Sequence, residues 1–152
     1  SEALPSEVDE DMLSGGYGVD AYQALAWSYV LSGQPGQARP MLEAVETWFN
    51  GYAESVELVN STKLYEAARN AVLLGDNELA LDRLEQAVMA GWREFYIRDQ
   101  DPRWGALRDD ARYRALMAGV KADVDRQRAE VERIDAMENF PALLEEARSK
   151  TR

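Results

Sequence analysis

The sequence predicts an all-α fold, and three observations carry that expectation. Two stretches of the chain share one residue pattern. The first runs Tyr22, Leu25, Ala26, Tyr29, Gly33, Ala38, Leu42, Val45, and the second runs Leu64, Ala67, Ala68, Ala71, Gly75, Ala80, Leu84, Ala87. Both fall at offsets +4, +7, +8, +11, +15, +20, +24 and +27 of a common unit. The apolar steps of three and four within each stretch are those of amphipathic helices. Each Gly separates two such periodic segments, where a helix ends in a left-handed residue.

The elements follow in order. Residues 1–18 are acidic and end in Ser14-Gly15-Gly16-Tyr17-Gly18, which reads as a lead-in or linker. A short acidic helix over Glu7–Leu13, packed on the fold, is the other reading. A helix is predicted from near Asp20, an N-cap residue, to Leu31. Ser32-Gly33-Gln34-Pro35-Gly36 breaks it. A second helix starts at 35–37 and runs to about Phe49, with Pro40 tolerated early, and Asn50-Gly51 ends it. Gly33 and Gly75 stand 42 residues apart, and the extra residues over 50–60 lengthen a helix or form a turn.

The next helix is predicted over Ser61–Leu74, capped by Asn60 or Ser61. Gly75-Asp76-Asn77 makes a turn, and a partner helix covers Glu78–Met89. Beyond Gly91 an aromatic and basic stretch leads to Asp101-Pro102 and a helical turn near Trp104–Leu107. Asp109-Asp110 precedes a long helix from Ala111 to Met137, with Tyr113, Leu116, Met117, Val120, Val124, Val131 and Ile134 on its apolar side. Pro141 opens a last helix to about Ala147.

The paired offsets around Gly33 and Gly75 resemble the tetratricopeptide repeat, a helix–turn–helix unit of 34 residues that stacks on its neighbours. The resemblance implies an α-α superhelix with repeats at 19–52 and 61–94 and a capping region at 95–152. It thus divides the chain into a lead-in at 1–18 and a single domain at 19–152. The segment Gly91-Trp92, Asp101-Pro102-Arg103-Trp104, Leu107-Arg108-Asp109-Asp110, Tyr113, Leu116 is similar to the closing segment of such regions in multidomain bacterial signalling proteins. That likeness implies a soluble part of a larger bacterial regulator, cytoplasmic or periplasmic. A chain that opens Ser1-Glu2 without Met fits the expectation of a processed or excised piece.

In that family the first helix of each repeat lines a concave groove. Carried over, the groove positions are Asp20, Gln23, Trp27, Val30 and Leu31, then Thr62, Tyr65, Arg69, Val72 and Leu73. Gln23, Trp27, Tyr65 and Arg69 are the resulting ligand-binding candidates. Aromatic and Arg side chains dominate binding hot spots. Two further readings stay open: Trp27 packs against the chain's own segments, and Arg69 pairs internally with Glu66 or Asp20. The family's carboxylate clamp needs Lys and Asn where this chain has Gln23, Trp27 and Glu66, so chaperone-tail binding is not expected.

Composition excludes several functions. The chain of 152 residues has no Cys and no His, which removes thiolate catalysis, cysteine zinc sites, the commonest general base and the usual neutral-pH switch. No enzymatic activity, metal or cofactor is expected. The Asp99, Asp101, Asp109, Asp110 cluster fails the calcium-loop pattern because Pro102 and Arg103 follow it. Gly15-Gly16-Tyr17-Gly18 lacks the spacing and Lys of a phosphate loop.

Of the net charge of −11, residues 1–60 carry −9, with Arg39 as their single base. Such a surface repels nucleic-acid backbones and anionic lipid, and it favours a protein partner of basic character. The run Arg93, Tyr96, Arg98, Arg103, Trp104, Arg108, Arg112, Arg114 is interleaved with acids, which points to internal Arg–Asp pairing rather than nucleotide stacking.

The sequence therefore supports a protein- or peptide-binding module. The alternative is a self-associating or structural domain whose groove is filled by its own C-terminal helices. Val124, Val131 and Ile134 with Met137 or Glu138 form a thin heptad-like stripe, which leaves two readings open: a solvated helix end, the default, and pairing with a second copy as a homodimer.

Overall fold

The computed structural model describes residues 11, 13, 18–56, 59–95, 100–138 and 140–150. Among these the chain is all-helical, with no strand. The helices are α1 (Gly18–Leu31), α2 (Pro35–Ser55), α3 (Ser61–Leu74), α4 (Asn77–Met89), α5 (Ala111–Glu138) and α6 (Phe140–Lys150), with a 3₁₀ segment at Pro102–Leu107 between α4 and α5. α1 packs on α2 and α3 on α4, and α3 also meets α2, α1 and the 3₁₀ segment.

The turn chemistry explains the pairing. Gly33 and Gly75 take φ of 76° and 88°, a region that costs other residues a Cβ clash. The chain closes the same way at both. Gly33 N–H donates to Val30 O at 3.1 Å and Gln34 N–H to Tyr29 O at 2.8 Å. Gly75 N–H donates to Val72 O at 3.0 Å and Asp76 N–H to Ala71 O at 2.9 Å. These bonds satisfy carbonyls orphaned at each helix end. Gly91 (φ 97°) repeats the closure after α4, with Trp92 N–H on Ala87 O at 2.9 Å.

The starting caps are equally local. Asn60 Oδ1 accepts from Lys63 N–H at 2.8 Å and Asp76 Oδ1 from Leu79 N–H at 3.1 Å. Asp110 Oδ1 accepts from the Arg112 and Tyr113 amides at 2.8 and 2.9 Å.

One boundary moved well beyond the expected position. α2 does not stop at Asn50-Gly51 but continues to Ser55, where Val56 turns extended. The surplus residues between the two glycines thus lengthen a helix. Trp48 stacks on Tyr52 at 5.1 Å across that stretch, and Phe49 is buried beside Leu13, Val19, Tyr22 and Val45. Packing of one turn against the next outweighs the local turn preference.

The interior falls into three apolar clusters, and Ala67 of α3 joins the one that holds Val19, Tyr22, Val45 and Phe49 of the first pair. Ala26, Ala38 and Leu42 fill the first pair. Tyr65, Ala68, Ala71, Ala80, Leu81, Leu84 and Ala87 fill the second, joined by Trp92, Phe95, Trp104, Leu107, Tyr113, Met117 and Val120 from the closing segments. Leu13 is buried and helical, which fits the packed reading of the N-terminal segment at that residue. Most of the expected lead-in at 1–18 lies outside the described residues.

Candidate functional site

The expected groove face of α1 and α3 is a closed polar network. It begins with Arg69 in the middle of α3, which has no exposed surface. Its guanidinium donates in three directions: Nε to Gln23 Oε1 at 2.7 Å, Nη2 to Asp20 Oδ1 at 2.6 Å and Nη1 to Asp101 Oδ2 at 3.2 Å. Asp20 and Gln23 come from α1, and Asp101 caps the 3₁₀ segment through Arg103 N–H at 3.0 Å. Arg103 Nε returns to Asp101 at 2.8 Å, while its Nη1 forms an ion pair with Asp20 Oδ1 at 3.2 Å. Two cations and two carboxylates thus neutralise each other, the arrangement that makes buried charge tolerable.

The network continues across the repeat pairs. Gln23 Nε2 donates to Glu66 O at 2.9 Å. Asn70 Nδ2 donates to Leu42 O at 3.0 Å and Glu46 Oε2 at 3.1 Å, and Arg83 Nη1 and Nη2 clamp Glu46 at 2.9 and 2.5 Å. One polar chain therefore ties α1, α2, α3, α4 and the 3₁₀ segment.

Titration follows the same geometry. Burial alone would raise Asp101, yet the Arg103 side chain and amide, with the charges of Arg103 and Arg69, hold it below the usual carboxylate range. Glu46 is likewise lowered: burial pushes it up, but Arg83 and Asn70 outweigh that. Burial and the neighbouring Arg103 pull Arg69 down, against Asp20, Tyr65 and Asp101.

Beside the network runs an aromatic stack. Tyr65 lies parallel to Trp92 at 4.3 Å, Trp104 tilts on Tyr65 at 5.4 Å, and Trp104 stacks on Tyr113 at 5.5 Å. Trp104 Nε1 donates to Tyr65 Oη at 2.7 Å. Burial pushes the Tyr65 phenol well above its ordinary value, so it stays a neutral acceptor.

Gln23, Tyr65 and Arg69 are therefore brought together, but as interior groups. Arg69 pairs with Asp20, one of the two readings that the sequence left open, and with Asp101, which it did not single out as a partner. In this conformation none of the three presents a surface to another molecule. Trp27 is half-buried; nearer the end of α1, Val30 and Leu31 are exposed. Trp92, Asp101 and Trp104 cover the α3 face, whereas the described side chains of 126–137 and 141–150 are all exposed. The face of Gln23, Tyr65 and Arg69 is thus covered by described residues of the chain's own connection, Trp92, Asp101 and Trp104. Arg103 pairs with Asp101, in line with the internal Arg–Asp pairing expected of this run, but the partners of Asp101 and Trp104 on α3 were not legible because they lie distant in sequence.

Among the described residues no group of three acidic side chains is placed to hold a metal ion, and no helix is long and apolar enough to cross a membrane. Five of the eight large apolar residues left exposed are Val131, Ile134, Met137, Leu143 and Leu144, all on distal α5 or α6. No protein-family model, curated protein or solved structure matches this chain.

Proposed function

We propose that this chain is a non-catalytic protein-interaction module, a tetratricopeptide-like array of two helix pairs within a larger regulatory protein. Its concave side is closed by Trp92, Asp101 and Trp104 of its own connection, and its contact surface is the arm formed by distal α5 and α6. The observation that carries this reading is the concentration of exposed Val131, Ile134, Met137, Leu143 and Leu144 on the stretches 126–137 and 141–150, whose described side chains all lie in solvent. Apolar side chains gathered on one arm mark a contact surface, whereas scattered ones do not. The repeat resemblance supports the scaffold part of the reading, since stacked helix pairs serve to present surfaces.

The test is a triple variant, Val131→Glu, Ile134→Glu, Leu144→Glu, used beside the parent to capture proteins from an extract of the producing cell. The exposed positions predict an unchanged melting temperature together with loss of the captured set. An identical set on both baits refutes the arm as the contact surface.

A second reading places a partner at the open end of α1. Val30 and Leu73 line an apolar cleft of about 170 Å³ with Leu42 and Leu74, and Trp27 stands half-exposed one turn away. Trp27→Ala separates the two: capture falls with little loss of stability only if the partner sits there.

A further inference from the structure

We infer that the contact partner of the arm is a second copy of this chain, with the distal halves of two α5 helices packed antiparallel. The inference rests on the interaction-arm reading and names its occupant.

The sequence of α5 carries one seam through two environments. Met117, Val120, Val124, Gln127, Val131 and Ile134 follow one another at alternating steps of three and four, and Glu138 continues the series. That 3.5-residue period keeps one stripe facing a partner along the whole helix. The first half of the stripe has its partner: Met117 and Val120 are buried in the main core and Val124 packs against it. The helix then runs past the body, since 28 residues span about 42 Å. Val131 and Ile134, on the same stripe, are 57% and 39% exposed. The seam thus continues where its residues stand exposed among the described residues of this copy.

Charge selects both the occupant and its direction. Residues 126–150 hold five basic and six acidic side chains, whereas residues 1–60 carry a net −9. A basic foreign partner is attracted to the N-terminal half, not to this balanced arm. Two copies of the arm meet without the repulsion that keeps their acidic halves apart. A parallel in-register pair would set Glu138 against Glu138 and Glu130 beside the second copy's Asp135. The antiparallel register centred between Val131 and Ile134 packs each Val131 on the other copy's Ile134. It also sets Arg128 beside Asp135. A seam of two heptads is at the small end of specific interfaces, so the dimer is concentration-dependent.

Sedimentation equilibrium on the full chain tests this. The expected mass rises from 17.1 kDa toward twice that value across the micromolar range. Ile134→Glu, at a position exposed in the single copy, keeps the helical spectrum and weakens the dimer by about 100-fold or more, because symmetry buries two unpaired carboxylates. The absence of native Cys allows a direct reading of direction. Gln127→Cys mixed with Glu138→Cys gives the mixed disulfide in the antiparallel pair, and each variant links to itself in a parallel one, since the bond tolerates only short Cα separations.

A parent that stays monomeric throughout overturns self-pairing, as does a dimer indifferent to Ile134→Glu. Self-linked products alone overturn the direction. A monomeric parent that nevertheless captures a foreign protein, lost in the Val131, Ile134, Leu144 triple variant, removes the second copy and leaves the interaction arm standing. Failure of both measurements removes both readings.

Discussion

Replacing Arg69 by Met measures whether the face of α1 and α3 is interior or partner surface. Met keeps most of the aliphatic stem and removes the guanidinium, so the change isolates the polar contacts. Arg69 has no exposed surface and donates to Gln23, Asp20 and Asp101 at 2.7, 2.6 and 3.2 Å. Removing one partner of a buried pair costs about 3–5 kcal/mol, because the remaining charge is left uncompensated. Two features set the value within that range. Asp20 is about one-third exposed and Asp101 keeps Arg103, so neither carboxylate is abandoned. Gln23 is buried and loses the donor to its Oε1, which adds about 1–3 kcal/mol. The expected loss is therefore about 3–4 kcal/mol. At about 2–4 °C per kcal/mol for a chain of this size, melting falls by about 10 °C. Far-ultraviolet circular dichroism during urea and thermal unfolding reads it. A loss under about 1 kcal/mol refutes the closed network. Such a variant that also loses a bound partner would return Arg69 to the role of a contact residue.

Two further predictions follow from the same interior. Ala80 is fully buried where α4 meets α3, so Ala80→Leu overpacks that contact and costs about 1–3 kcal/mol; a melt within a degree or so of the parent would show space that the packing denies. Stability should be flat from neutral pH to about pH 5 and fall progressively below about pH 4, because Asp101 and Glu46 are held below the ordinary carboxylate range in the folded chain. A depressed carboxylate stabilises the fold above its unfolded pKa and loses that contribution as pH drops through the folded value. Unfolding midpoints across an acid series check this, and a profile still flat at about pH 3 would refute it.

The residues that were legible in the sequence are those whose signals act locally. Gly33 and Gly75 announced their left-handed closures because only glycine takes that backbone freely, and Asn60 announced the cap that it makes with the Lys63 amide; Asp76 and Asp110 were legible as a turn residue and a residue before a helix, and both cap the helix that follows. The end of α2 was misplaced because Asn50-Gly51 is a valid local turn signal overridden by the Trp48–Tyr52 stack and the buried Phe49. The face of Arg69 and Tyr65 was placed by repeat position, but its cover was not. Asp101 and Trp104 reach Arg69 and Tyr65 from 32 and 39 residues away, a distance over which no periodicity carries information.

The consequence for function is chemical as well as steric. Arg69 and Arg103 are matched by Asp20 and Asp101, so the network has no surplus charge to offer a ligand. A neutralised, filled face leaves recognition to surfaces where apolar area remains in water. Among the described residues, five of the eight large apolar side chains left exposed lie on the overhanging helix and the one after it. The stripe that ties α5 to the core is the stripe that it carries beyond the core, so the residue pattern that closes the domain also supplies the contact surface proposed for it.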